Sequence, residues 1–317
     1  MPLTEPDLSV VTTLYESASY IADFYQRART AAEQVASEIE FVIVNDGSPD
    51  DALDVVLQLA RRDRRIRVID LSRNFGHHRA MMTGLAYARG RLIFLIDCDL
   101  EIGPEVLPEF HAKLKLTTAD VVFGVQHKRQ GDLFDRLFGR MFYSLSIWIL
   151  GYPMPNNLTN ARLMTRRYVS ALTSHREREI SIGGLWVATG FQQVPIAVAK
   201  RPKGRSSYTL ARKLAVVTNH VTSYSNRPLW LIFALGSGVS AAAVAAALVL
   251  LVRRFFFGAT LSGFPILIVS IWAVGGLTLF GLGIIAVYLA KIFLEVKQRP
   301  YPIVREVYED RSDEQQP

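Results

Sequence analysis

The sequence predicts an α/β domain with a mostly parallel sheet flanked by helices, followed by a C-terminal hairpin of two transmembrane helices. Three observations predict it. Short, continuous apolar runs alternate with helical patterns through the first half of the chain. Acidic and amide side chains follow directly after several of those runs. Two long uncharged stretches, Pro228–Val252 and Phe255–Ala290, come later. Alternation of strand and helix favours a parallel sheet, and about 20 apolar residues suffice for one membrane span.

The apolar runs are Leu8–Leu14, Ile39–Val44, Ile66–Leu71, Leu92–Ile96 and Val121–Val125. They are continuous rather than alternating, as expected of strands with helices on both faces. Helical patterns fall near 18–36, 50–62, 77–89 and 104–116. The domain boundaries follow: 1–210 as the α/β domain, 211–228 as an interfacial helix, 229–290 as two spans (229–252 and 265–290), and 291–317 as a tail. Gly258, Gly263 and Pro265 make the lead-in to the second span a poor helix and a good turn. The tail, with Pro300, Pro302 and an acidic end, reads as irregular.

The chain has 317 residues, half of them hydrophobic and 21% charged, with a formal charge of +7 and one cysteine. That composition excludes a disordered chain, a nucleic-acid scaffold, a disulfide framework and a Cys-cluster zinc site. It points to anionic partners: phosphates, nucleotides or anionic lipid headgroups. Basic residues flank the outer ends of the two spans: Arg205, Arg212, Lys213 and Arg227 before, and Lys291, Lys297, Arg299 and Arg305 after. Only Arg253 and Arg254 lie in the hairpin. The positive-inside rule then predicts a multi-pass protein of the inner (plasma) membrane with the domain and both termini in the cytoplasm. The glycines of the spans suit close helix packing in lipid, which leaves a homo-oligomer open.

Parallel sheets bind ligands at the carboxyl ends of their strands. Those ends carry Tyr15-Glu16, Asn45-Asp46-Gly47-Ser48-Pro49-Asp50-Asp51, Ser72-Arg73-Asn74-Phe75-Gly76-His77 and Asp97-Cys98-Asp99. Asp50 reads as a cap of the next helix. Asp97 and Asp99, two residues apart after a buried strand, suit a hard divalent cation such as Mg²⁺ or Mn²⁺, which takes one or two carboxylates plus phosphate oxygens. No P-loop, dinucleotide fingerprint or Gly-x-Ser-x-Gly accompanies them. His77 and His78 read as the start of a helix. Cys98, between two acids, reads as inert.

The stretches Val44 to Asp51, Leu71 to His77 and Asp97 to Leu100 together resemble the family 2 glycosyltransferases of GT-A (Rossmann-like) fold. More narrowly, they resemble the polyprenyl-phosphate glycosyltransferases, such as dolichol-phosphate mannose synthase and the bacterial undecaprenyl-phosphate glucosyltransferases. The resemblance implies a membrane-anchored, metal-dependent, inverting hexosyltransferase. Its donor is a nucleotide diphosphate sugar (UDP-glucose or GDP-mannose type), and its acceptor is polyprenyl phosphate held in the membrane lipid. It assigns Tyr15, Glu16, Asp46, Arg73, Asn74, Gly76 and Asp97 to donor binding, and Asp97 and Asp99 to the metal. Asp99, Asn160 and Arg162 take catalytic positions. Thr13-Leu14-Tyr15-Glu16-Ser17 stands where the family has Pro-x-Tyr-Asn-Glu, without the Asn. Asn160 stands in Leu158-Thr159-Asn160-Ala161-Arg162-Leu163 where relatives carry an Asp.

Two basic stretches suit an acceptor phosphate. Arg136 and Arg140 lie in an amphipathic pattern within 132–150 that fits either a membrane interface or the sheet. Arg205 and Ser206 lie in Gly204-Arg205-Ser206-Ser207-Tyr208, where the family has Gly-x-Ser-Lys-Tyr. Two other readings stand beside the first. One is a processive polysaccharide synthase, disfavoured because Gln-x-x-Arg-Trp is missing. The other is an inactive nucleotide-sugar-binding membrane scaffold, motivated by Asn160.

Overall fold

The structure, a computed structural model, describes residues 6–126, 158–175, 182–200, 227–257, 263–297 and 302–309. They fall into two units, described separately.

The first unit is an eight-stranded sheet between helices. Its strands are β1 (Leu8–Leu14), β2 (Ile39–Asn45), β3 (Ile66–Leu71), β4 (Leu92–Leu95), β5 (Val121–Gln126), β6 (Leu158–Thr165), β7 (Gln193–Val198) and β8 (Val304–Tyr308). Their order across the sheet is β7-β5-β6-β4-β1-β2-β3-β8. β1 pairs in parallel with β2 and β4, and β2 with β3. β6 runs antiparallel between β4 and β5. The expected α/β class therefore holds, with two antiparallel insertions that the apolar pattern did not mark.

Helices α1 (Ile21–Glu33), α2 (Ala52–Ala60) and α4 (Leu107–Leu116) cover one face. Helices α3 (His77–Tyr87), α5 (Arg166–Ser174) and α6 (Ile182–Ala188) cover the other. Adjacent residues point to opposite cores: Val10 packs with Phe24 and Phe41, Val11 with Leu85 and Ile93. Every residue of β1, β2 and β3 is buried, which is why these strands read as predominantly apolar runs rather than alternating ones. Asp51 takes the N-cap position of α2, one residue after the expected cap. Asp50 reaches the Ala52 amide at 3.3 Å and also the Ala18 amide at 2.8 Å.

The tail departs from the expectation of irregular structure. β8 pairs antiparallel with β3 and completes the sheet edge. Its Val-Arg-Glu-Val-Tyr sequence, with Arg305 and Glu306 exposed, suits a charged edge strand.

The second unit holds two long helices, α7 (Arg227–Phe257) and α8 (Phe264–Lys297). Both run beyond the expected 229–252 and 265–290. Among the described residues one stretch, Val274–Lys297, is long and apolar enough to cross a membrane, with mean hydropathy 2.2 and 6% of its window buried. Leu229–Ala243 is a shorter apolar stretch. Exposed Trp230, Phe233, Leu279 and Phe280 give these helices apolar surfaces of the kind lipid covers.

Candidate functional site

Four loops meet at the carboxyl edge of the parallel strands, and hydrogen bonds to backbone groups tie them together. The Asp46 amide donates to Leu14 O at 3.0 Å, and the Glu16 amide to Ser48 Oγ at 2.8 Å. Gly47 lies at φ +60°, and a Cβ there would stand 2.5 Å from the Asn74 nitrogen. Glycine is required twice over, by the left-handed backbone and by the close approach of loop 72–76. Glu16 also adopts a left-handed φ of 50°, which a non-glycine residue does at some cost.

Asp46 is buried, and its carboxylate is fully engaged. Oδ1 accepts from the Phe75 amide at 2.7 Å and Oδ2 from the Gly76 amide at 3.0 Å. Burial raises its pKa, against the lowering effect of those two amides. Through these two bonds Asp46 holds loop 72–76 in place. Tyr15, Arg73 and Asn74 remain exposed at the edge, with the Arg73 guanidinium 4.2 Å from the Phe75 ring centroid.

Asp97 and Asp99 line one pocket of about 120 Å³, together with Glu101, Gln126, Asn160 and Lys200. Asn160 Nδ2 donates to Asp97 Oδ2 at 2.8 Å, and His77 Nε2 lies 3.3 Å from Asp97 Oδ1. His77 Nδ1 meets Thr13 Oγ1 at 3.1 Å, and its Nε2 is 3.2 Å from Asn160 Nδ2. Lys200 pairs with Glu101. Desolvation works to raise the Asp97 pKa; the hydrogen bond and charge of His77, the Asn160 amide and the Lys200 charge outweigh it and hold the carboxylate below its usual range. For His77, desolvation favours the neutral ring; the hydrogen bond and charge of Asp97, then the charges of Asp46 and Asp99, win and raise its pKa. Burial pushes the Cys98 thiol up to about 11, and its Sγ donates to Thr13 O, consistent with an inert thiol.

The structure brings Asp97, Asp99 and Asn160 together. It does not bring Arg162 to them. Arg162 is 1% exposed and its guanidinium lies 3.3 Å from the Trp186 ring centroid and 5.0 Å from that of Phe123. Its Nη1 donates to Gln193 Oε1 at 3.3 Å, and its Nε has no hydrogen-bond partner among the described residues. The sequence places it two residues from Asn160, but its side chain belongs to the core. Arg136, Arg140, Arg205 and Ser206 lie outside the described residues. His77 and Glu101 escaped sequence reasoning, and Lys200, which opens a basic stretch suited to a phosphate, lies in the pocket of the acidic pair. His77 shows no ligand spacing, and its role comes from the meeting of β1, α3 and β4.

Among the described residues no group of three or more His, Cys, Asp or Glu could hold a metal alone. Two carboxylates sharing a pocket do fit an oxygen-seeking ion whose other ligands are phosphate oxygens. Asp97 and Asp99 are the residues that would hold it.

A family model described as "Glycosyl transferase family 2" matches residues 9–173. The chain is 48% identical over 301 residues to a Mycobacterium tuberculosis protein named among "Putative glycosyltransferases", covering 95% of this chain and 88% of that one. It is 30% identical to the SfII prophage-derived bactoprenol glucosyl transferase of Shigella flexneri, covering 94% and 97%. It is also 30% identical to an undecaprenyl-phosphate 4-deoxy-4-formamido-L-arabinose transferase of Pseudomonas aeruginosa, covering 92% and 88%.

Proposed function

The chain belongs to glycosyl transferase family 2, and from that premise we propose that it moves a hexose from a nucleotide diphosphate sugar to a polyprenyl phosphate, with inversion. The observation that carries this reading is the shared pocket of Asp97, Asp99, Asn160 and Lys200 at the end of β4. The names of two relatives that match over nearly the whole chain support the acceptor class.

Asp97 and Asp99 would hold Mg²⁺ or Mn²⁺, which when bound neutralises charge that builds on the diphosphate leaving group. Asn160 and His77 fix the Asp97 carboxylate from two sides and keep it ionised. Lys200 adds a cation beside the same carboxylates. The acceptor phosphate oxygen attacks the anomeric carbon, that carbon's bond to the diphosphate breaks, and the nucleoside diphosphate leaves. A phosphate monoester has a second pKa near 6 and is mostly ionised at pH 7. It therefore needs no strong base, and Asn160, which cannot accept a proton, is compatible with transfer. Tyr15, Glu16, Arg73 and Asn74 border the donor; Arg136, Arg140, Arg205 and Ser206 receive the acceptor phosphate.

The helices α7 and α8 anchor the domain to the membrane that holds the acceptor. β7 and β8 are strands of one sheet, so the chain between them starts and ends on one side of any bilayer it enters. A single crossing conflicts with that, and a pair of spans fits. Basic residues around the outer ends favour the cytoplasmic side. Anchoring also supplies proximity to a lipid acceptor.

The test is a donor screen. The full chain in detergent or lipid discs receives undecaprenyl phosphate, Mn²⁺ and each of a set of UDP- and GDP-sugars, and the lipid product is weighed by mass spectrometry. One donor should give the glycosylated lipid. Nucleotide binding without product from any donor would instead favour the inactive scaffold that Asn160 raises.

A further inference from the structure

The tail strand does more than close the sheet. Arg305 lies on β8, roughly half-exposed, and its guanidinium grips two points of β3 and the loop after it. Nη1 donates to Asp70 Oδ2 at 3.1 Å and Nη2 to Ser72 O at 2.8 Å. The Ser72 amide donates to Ile303 O at 2.9 Å. Ser72 is therefore held on both sides by the tail just where loop 72–76 begins.

The contact reaches a second loop through Asp70, which is 1% exposed. Its Oδ1 accepts from Asn45 Nδ2 at 2.8 Å, and Asn45 Oδ1 in turn accepts from the Ser48 amide at 3.1 Å. Ser48 Oγ receives the Glu16 amide. One cation on the tail thus compensates the buried carboxylate that orders loop 45–48, and the same cation fixes the first carbonyl of loop 72–76. These are two of the loops that border the donor in the reading above. A buried carboxylate that loses its cation faces an uncompensated desolvation cost, and the local way to relieve it is to let water in by shifting β3 and the loops it carries.

We infer that Arg305 is a positioning residue for the donor site, acting through Asp70 and Ser72 rather than by touching the nucleotide. This rests on the donor role proposed for these loops. It predicts that donor affinity depends on a residue that follows the long helices in sequence and is separated from Asp70 by 235 positions.

The test measures UDP and GDP binding with Mn²⁺ by calorimetry on the full chain, and donor KM and kcat with the donor found active. Arg305→Ala removes both hydrogen bonds and should raise the nucleotide Kd and donor KM about tenfold, the share of their worth that binding must then spend on ordering the loops, with kcat within about twofold. Arg305→Lys, which restores the cation, should recover most of that affinity. Arg91→Ala removes an exposed pair with Asp7 at the amino ends of the central strands β4 and β1 and should change neither. Should alanine prevent folding, Arg305→Gln retains a donor without the charge and should give a smaller but measurable rise in Kd. Wild-type Kd in a folded Arg305→Ala or Arg305→Gln variant overturns the inference alone, even if thermal stability falls. A wild type that binds neither nucleotide overturns the donor reading, and this inference with it.

Discussion

Gly47→Ala is the sharpest probe of how the donor edge is built. Two effects add. An L residue at φ +60° costs about 1 kcal/mol more than glycine. The new Cβ would also sit 2.5 Å from the Asn74 nitrogen and 2.6 Å from the Arg73 carbonyl carbon, both backbone atoms. Ordinary contact begins near 3.4 Å, so loop 72–76 must retreat by about 0.9 Å, the difference between 3.4 and 2.5 Å. A retreat of that size stretches the 3.0 Å bond from the Gly76 amide to Asp46 Oδ2 out of range, and a hydrogen bond to a charged group is worth about 1.5–3 kcal/mol. The expected loss is about 3 kcal/mol in total. For a domain of roughly this size it lowers Tm by about 6–12 °C. Displacement of the loop by about 1 Å should also weaken donor use by at least tenfold. Thermal melts of the purified variant and calorimetric titration with UDP and GDP read both numbers. A variant that melts within about 1 °C of wild type and binds nucleotide equally well would refute the packing argument.

Four other outcomes are expected. Asp99→Asn should abolish sugar transfer while leaving the melting temperature near wild type; full activity would remove Asp99 from the metal-binding pair. Chelation with EDTA should stop transfer and Mn²⁺ or Mg²⁺ should restore it, as followed by labelled sugar in the lipid fraction; transfer that persists in EDTA would sink the metal assignment. Cys98, buried with a thiol pKa of about 11, should resist maleimide at pH 8 in the native protein and react after denaturation. Because the folded pKa is raised, its contribution to stability is complete below the unfolded thiol value of about 8.5 and fades as pH rises through about 11; rapid native labelling would contradict this. Arg162→Met, which replaces a buried and poorly partnered guanidinium by an apolar chain, should change unfolding free energy by less than about 1.5 kcal/mol, since such swaps are often neutral. Loss of transfer in a fully stable Arg162→Met protein would return Arg162 to the reacting groups.

The parallel half of the sheet was legible because its strands are buried on both faces and therefore predominantly apolar. The same logic placed Asp97 and Asp99 at a strand end, where they share a pocket with Asn160. The later strands β6, β7 and β8 escaped for physical reasons. β6 carries Asn160 and Arg162 inside an otherwise apolar run, and β7 is only partly covered. β8 was illegible as a strand because its partner is distant in sequence and its exposed face is charged. Asp46 and Arg162 show the limit of motif reading. The resemblance put both near the chemistry, and the packing adds what it could not show: Asp46 pins a backbone loop and Arg162 stacks on Trp186. His77 illustrates the converse, since nothing in its neighbours along the chain announces Thr13 or Asp97.

The position of β8 also bears on biosynthesis. The ribosome delivers this strand only after both long helices have been made, so β3 must wait with bare amide and carbonyl groups, open to any extended chain nearby. A copy released too early would possess its greasy helices and most of its catalytic layer, yet expose a sticky border and leave the Asp70 charge unneutralised. Truncated products of this kind should be recognised as misfolded and cleared, and so should not accumulate as idle competitors for sugar nucleotide.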